Sequence, residues 1–296
     1  MGDITLTSAT RNNLLSLQST TNLIGRTQER LATGLKVNSA IDDALAFFKA
    51  RNLNARAGDL ATVKDTISGG ISVIKAAIQG LEAIEGVLKQ MKALAQSAIS
   101  APESATRAKL ASQFNELRSQ VDNLAEDSSF NGVNLLKNTS TGFAAGADQL
   151  TVKFNERTET SAVNQLVVSG LTVSDFGKII ASSAQATGTA GVTTVWGQTG
   201  TAAVTGINAA IRAIDSALVT VRQVAQNFGT NSAMLSIRAD FTTNLINTLK
   251  GGASQLVNAD LNEESANLLS LQTRQQLGTI SLSIAQQSEQ SILRLF

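Results

Sequence analysis

Residues 60–98 read LATVKDTISGGISVIKAAIQGLEAIEGVLKQMKALAQSA. Steps of three and four from Leu60 visit Val63, Ile67, Gly70, Ile74, Ala77, Leu81, Ile84, Leu88, Met91, Ala95 and Ala98. Every stop is apolar or glycine. A 3-4 repeat held this long is a heptad seam, the pattern of helices packed lengthwise against one another. Roughly 40 helical residues at about 1.5 Å each span about 60 Å, far beyond the helices of an ordinary globular domain.

Two more runs keep the period. One follows Pro102, the single proline of the chain: Leu110, Phe114, Leu117, Val121 and Leu124. Ser100-Ala101-Pro102 ends the preceding helix, because proline cannot continue it, and Glu103 suits the N-terminus of the next. The other passes from Ile207 through Ile211, Ile214, Leu218, Val221, Ala225, Phe228, Ser232, Leu235, Ala239, Thr242 and Ile246 to Leu249. Gly251-Gly252 then reads as a stop.

Both chain ends carry sparser helical stripes, Leu14, Leu17, Ile24, Leu31 and Leu35 at the front and Leu277, Ile280, Ile284, Ile292 and Leu295 at the back. Asp260 followed by Glu263 reads as an N-cap with an acidic partner three residues on. These ends are rich in Gln, Ser, Thr and Asn, so one such helix pair buries little surface and is expected to be marginal alone.

The character changes between Asn138 and Gly206, where Gly, Ser and Thr become dense. Leu150, Val152 and Phe154 alternate with polar residues as in a strand. Leu166-Val167-Val168 and Leu171-Thr172-Val173 read as a second pair of short strands around Ser169-Gly170. Residues 182–205 read as an exposed, loosely structured insert. The expected fold is mainly α: a long antiparallel helical coiled bundle built from the N- and C-terminal segments, with a small β-containing central insert.

Composition excludes several kinds of chemistry. The 296 residues include no His and no Cys, which removes Ser-His and Cys-His nucleophile pairs and any imidazole or thiolate zinc site. An all-carboxylate cation site stays open, though no EF-hand spacing occurs. Lys and Arg number 24 against 23 Asp and Glu, and charged residues make up 16% of the chain, so no electrostatic case exists for nucleic acid or an anionic membrane. Apolar residues make up 43% but aromatic ones only 4%, with no Tyr and a single Trp196, so the core is to be made of Ala, Leu, Ile and Val. No run of 18 apolar residues marks a membrane span. The start, MGDITLTSATRNNLLSLQ, has neither a basic n-region nor an apolar h-region, so a secretory signal peptide is not expected. Leu6 argues against myristoylation.

Specific motifs now attach to the pattern. Residues 22–43 read NLIGRTQERLATGLKVNSAIDD. This resembles the N-terminal signature of bacterial flagellins, in which a helix bearing E-R-L leads to a Gly turn and then N-S-A-x-D-D. Glu29, Arg30, Leu31, Thr33, Gly34, Leu35, Asn38, Ser39, Ala40, Asp42 and Asp43 match. Residues 129–136, SFNGVNLL, are similar to the turn after the second helix in that family, through Phe130, Asn131 and Gly132. The C-terminal SANLLSLQTRQQLGTISLSIAQQSEQSILRLF is similar to the family end, with Gln275, Gln276, Gly278, Leu282, Ala285, Leu293 and Leu295 matching best. Ile41 departs from the family, which usually has a basic residue there, and Leu45-Ala46-Phe47-Phe48 replaces a smaller, Gly-containing run.

The resemblance implies a layered, self-assembling filament subunit without cofactor or enzymatic activity. Residues 1–43 with 258–296 would form an inner tube, 44–137 with 206–257 an outer tube, and 138–205 a variable exposed insert. The two terminal stripes named above would then be the inner-tube packing residues. Expected partners are further copies of the chain, an export chaperone and the flagellar type III export apparatus, and the filament cap and hook-associated proteins. O-linked glycans on the Ser/Thr clusters of 182–205 stand beside a plain solvated loop. The protein would be secreted and extracellular, in the flagellum. A hook–filament junction protein is the alternative, since it shares the terminal helices. A metallopeptidase insert needs H-E-x-x-H, which a chain without His cannot form.

Three features admit sharper readings. Asp42-Asp43 could form a catalytic carboxylate pair, but with no other catalytic group at hand a helix N-terminus or an intersubunit polar contact is the better reading. The Leu and Ile stripes lack the Lys/Arg excess of membrane-surface helices, so partner-helix packing is expected. The segment Leu88–Ala95 resembles the flagellin region bound by the vertebrate Toll-like receptor for flagellin. Gln90 stands where detected members commonly have Arg, and Gln113 where a Glu lies nearby. With Leu88 and Leu94 read as bundle or filament contacts, weak receptor activation is expected.

Overall fold

A computed structural model describes residues 8–136, 149–156, 164–170, 196–197 and 200–293. Its elements are α1 (Ser8–Thr33), α2 (Ala44–Ser100), α3 (Ser104–Asp127), β1 (Gln149–Lys153), β2 (Gln165–Ser169), α4 (Thr201–Val257) and α5 (Leu261–Leu293). The chain divides into two compact units, with boundaries at Gly58/Asp59 in α2 and Ile246/Asn247 in α4.

The central unit holds the long seams. All stops from Leu60 to Ala98 are buried except Val63, which is half-buried. The stops from Ile207 to Ile246 are likewise buried or half-buried. Leu81, Ile84, Leu88 and Met91 of α2, Phe114 and Val121 of α3, and Ile207, Ile214 and Val221 of α4 join one core. α2 and α4 run antiparallel. Gly70 lies near Leu235, Glu85 binds Arg222, and Lys92 meets Asp215 at 2.5 Å, so α4 numbers fall as α2 numbers rise. By length and composition alone α4 is long and apolar enough to cross a membrane. That apolarity serves the bundle core.

Glycines in α2 set how closely its neighbours approach. A Cβ at Gly80 would meet the Ser128 Cβ at 2.7 Å and Leu136 Cδ1 at 2.8 Å. A Cβ at Gly70 would meet Val152 Cγ2 at 2.6 Å. These two positions admit the end of α3 and the β-hairpin. The segment after α3 turns at Asn131 (φ 49°) and Gly132 (φ 80°), with Phe130 and Val133 exchanging backbone hydrogen bonds of 2.9 and 3.0 Å. Two consecutive positive φ values make this a type I′ hairpin, which favours Asn-Gly. Buried Asn134 then donates its amide to the carbonyls of Ala125 and Glu126, closing α3.

β2 pairs antiparallel with β1, Gln149 opposite Ser169 and Lys153 opposite Gln165, and the strand expected at 171–173 lies outside the described residues. β1 holds the buried side chains Leu150 and Val152, and β2 presents Val168. Two expectations need correction. Gly251-Gly252 does not stop α4, which continues to Val257. Each glycine costs about 1 kcal/mol in a helix, and burial of the next residue, Ala253, opposes that cost. Trp196, expected in a loose exposed insert, is fully buried, and α4 begins at Thr201 within the same stretch. Its ring lies 5.0 Å from that of Phe114. Its carbonyl accepts Arg107 Nε at 3.1 Å, while Arg107 Nη1 reaches the carbonyls of Ala101 (2.8 Å) and Pro102 (3.0 Å) beyond α2. Most of 182–205 lies outside the described residues, and of the Ser/Thr positions considered for glycans only Thr201 and Thr205, both in α4, lie within them.

Candidate assembly surface

In the terminal unit α1 packs along α5. On α1 the residues turned inward are Thr10, Asn13, Leu17, Thr20, Ile24, Thr27 and Leu31, buried or half-buried at steps of three and four. On α5 they are Glu264, Leu268, Leu271, Gln275, Gly278, Leu282 and Ala285, again a heptad. Arg30 Nη1 pairs with Glu264 Oε1 at 2.9 Å at one end. Farther along, Leu17 rests in the gap left by Gly278, where a Cβ would come 2.7 Å from Leu17 Cδ2. About half of this seam is polar, so it buries little apolar surface per turn.

The terminal residues chosen from sequence are distributed unevenly. Ile24 is buried, and Leu17, Leu31 and Leu35 are half-buried. Leu14 is exposed. Leu277, Ile280 and Ile284 are 55–62% exposed. With Leu269 they form a second apolar stripe on α5, on the side opposite the α1 seam. The side chain of Ile292 and the whole of Leu295 lie outside the described residues. Apolar spacing does not reveal the inward seam of α5. Gln275, Gly278, Leu282 and Ala285 stand out in the sequence only as family matches, because Gln275 and Gly278 carry no apolar signal.

The turns joining these helices are wired together. Gly34 (φ 70°) ends α1 in the left-handed conformation. Its carbonyl accepts the Ala259 N–H at 2.9 Å, and the Lys36 N–H donates to the Val257 carbonyl at 2.8 Å. Asp42 Oδ2 accepts from the backbone N–H groups of Asn38 (3.1 Å) and Ser39 (3.0 Å) and from the Ser39 hydroxyl (3.1 Å). Those bonds, the Ser39 backbone one foremost, hold the Asp42 carboxyl below the usual range. Asp43 Oδ1 accepts the Ala46 N–H at 3.0 Å and caps α2. Asp260 Oδ1 does the same for α5 at Asn262 (2.9 Å). Both acids of the Asp42-Asp43 pair thus have structural bonds, and Ala40 beside them is half-buried. Among the described residues no group of three or more His, Cys, Asp or Glu is placed to hold a metal.

In the central unit Leu88 is fully buried and Leu94 half-buried, while Gln90 and Gln113 are exposed. Phe130, Asn131 and Gly132 are exposed on their hairpin.

Comparison with known proteins fits this arrangement. The bacterial flagellin N-terminal helical region matches residues 4–141, and the bacterial flagellin C-terminal helical region matches residues 211–296. Flagellin FljM of Caulobacter vibrioides is 36% identical over 285 residues, covering 96% of this chain and 94% of that protein. Flagellin of Brucella melitensis biotype 1 is 26% identical over 307 residues, covering 100% of this chain and 99% of that one. A solved structure described as a putative flagellar hook-associated protein from Vibrio parahaemolyticus shares the fold, with a TM-score of 0.59 at 15% identity, over 73% of this chain and 100% of that one. With both terminal helical regions matched and relatives aligned nearly end to end, the chain belongs to the bacterial flagellins, structural subunits of the flagellar filament.

Proposed function

We propose that the subunit is locked into its filament by the outward stripe of α5, Leu269, Leu277, Ile280 and Ile284, together with Leu14 of α1. The observation that supports this is the pair of apolar faces on one helix: one face is covered by α1 and the other faces solvent. A row of large apolar side chains left in water lowers its free energy by finding cover, and further copies of the chain supply it. Head-to-tail use of such surfaces does not close, so it builds a filament.

In this reading residues 1–43 with 258–296 form the inner layer and 44–137 with 206–257 the outer layer. Residues 138–205 form the variable insert, which buries Leu150, Val152, Val168 and Trp196 in the core, and O-linked glycans would be carried on its solvent-facing Ser and Thr residues. The half-polar α1–α5 seam keeps the ends marginal in the monomer. Ordering them then adds an entropic cost to each addition, which favours growth on an existing tip. Delivery to that tip is by the flagellar type III apparatus with an export chaperone. A chain without cysteine passes through unfolded and without disulfide snags. Cap and hook-associated proteins bound the filament at its ends. At the vertebrate receptor the protein activates weakly, since Gln90 and Gln113 are uncharged and Leu88 is buried; a potent reporter-cell response would contradict that.

Electron microscopy of the purified protein before and after adding short filament seeds tests the reading. Long uniform filaments with a central channel are expected. Persistent monomers, or short caps on the seeds, would overturn it. A second test is deletion of residues 1–35, which is expected to leave a folded monomer that never extends seeds.

A further inference from the structure

The terminal unit displays an apolar knob that its own fold does not explain. Ile41 is 96% exposed, and Leu45 and Phe48 at the start of α2 are 66% and 53% exposed. Ile41 does not sit on a loose loop. The Asp42 carboxylate ties down Asn38 and Ser39, and the Ile41 N–H donates to Ser39 Oγ at 3.3 Å. The knob is therefore held in place before anything binds, which lowers the ordering cost of docking.

The same unit has a complementary feature. A notch of about 300 Å³ is walled by Leu35, Val37, Phe47, Ala50 and Val257, with Asn38, Arg51 and Asn54 also lining it. A water molecule's share of liquid is about 30 Å³, so the notch has room for a branched aliphatic side chain. Ile41 of the same chain does not fill it, being almost wholly exposed. The chain thus carries a fixed apolar projection and, close to it in sequence, a largely apolar recess that the projection does not fill.

We infer that Ile41 of one subunit docks into the Leu35–Val37–Phe47–Ala50–Val257 notch of a neighbouring copy. The occupant is a second copy, since knob and recess lie on one chain and this family assembles copies of itself. The projection of one copy seated in the recess of the next makes a heterologous contact, and such a contact propagates. The Ile41 contact rests on the filament reading and adds a lock separate from the α5 stripe.

The chain has no cysteine, so engineered thiols stand alone. Subunits carrying Ile41→Cys are mixed with subunits carrying Asn54→Cys, grown from seeds and treated with a short bismaleimide. A covalent 41–54 dimer, above the background given by Thr230→Cys in place of Asn54→Cys, is expected in filaments and not in dilute monomer. Filaments that form without that dimer overturn the docking and leave the filament reading intact. Wild-type protein that never extends seeds overturns both. If the thiol variants do not extend seeds, Ile41→Ser and Ile41→Val decide the matter. Ser is expected to raise the critical concentration for seeded growth by about tenfold or more and Val by less than about twofold. Equal values for Ser, Val and wild type overturn the docking.

Discussion

Gly80 of α2 lies against Ser128, the residue that ends α3: a Cβ at position 80 would sit 2.7 Å from the Ser128 Cβ and closer still to its Oγ. That hydroxyl donates to the Leu124 carbonyl at 2.5 Å, so it is not free to move aside. Gly80→Ala forces the two helices apart. Overpacking costs about 1–3 kcal/mol, against a gain of under about 1 kcal/mol in helix propensity. Net destabilisation of about 1–2 kcal/mol is expected by urea unfolding. Gly86 lies on the same helix, and a methyl group there would have nothing within 4 Å of it, so Gly86→Ala is expected to stabilise by about 0.5–1 kcal/mol. Equal effects at the two sites would remove the packing explanation.

The apolar stripe of α5 separates folding from assembly. Leu277→Asp with Ile280→Asp changes two side chains that are 62% and 55% exposed. Stability of the monomer is expected to shift by no more than about 0.5 kcal/mol per site, while seeded growth is abolished. Circular dichroism melts and electron microscopy read the two effects. A variant that still grows filaments at the wild-type rate removes this stripe from the interface.

Trp196 anchors the segment leading into α4 on Phe114. Trp196→Ala is expected to cost about 3–5 kcal/mol, as for other fully buried large side chains. Arg107→Met strips the carbonyls of Ala101, Pro102 and Trp196 of their shared donor and is expected to cost about 1–3 kcal/mol. As Trp196 is the single tryptophan, its emission reads this site alone. A blue-shifted native emission that moves red with unfolding is expected; a solvent-like native emission would contradict the burial.

The acid limb of stability has two identified contributors. Glu85 accepts from Arg222 Nε and Nη2 at 3.1 and 2.9 Å, and Arg222 first, then Lys89 at 3.0 Å, lowers its carboxyl below the ordinary 4.5. Asp42 is lowered below 3.8 by the Ser39 bonds. A pKa lowered on folding adds stability that is fully present above the unfolded value and fades as pH falls through the folded one. Both contributions are therefore held at neutral pH and lost below about pH 4. Between about pH 6 and pH 3 the urea midpoint of Glu85→Gln is expected to fall less than that of wild type. Parallel curves would show that the Arg222 pair does not act on stability.

Much of this molecule was legible in its sequence. The 3-4 spacing from Leu60 to Ala98 and from Ile207 to Ile246 named the buried faces of α2 and α4, because a long regular seam has one way to be buried. Pro102 marked the break between α2 and α3, and Asp260 capped α5, because both act through the local backbone. Asn131-Gly132 fixed its turn for the same reason. Other features depended on distant contacts. Gly251-Gly252 reads as a stop until Ala253 is buried behind it. Trp196 sits among small residues that signal a loop, and only Phe114 and Arg107, some 80 to 90 residues away, make it core. On α5 two apolar stripes compete, and sequence favours the richer one, Leu277, Ile280 and Ile284. The fold turns the poorer one inward, because Gly278 leaves space for Leu17 and Glu264 meets Arg30. Periodicity and local backbone chemistry thus determined which segments are helices, the break at Pro102, and the buried face of a helix with a single apolar stripe. Tertiary structure decided which face is buried where two stripes compete, as on α5, since that choice depends on the shape and charge of the partner surface, and no single segment encodes its partner.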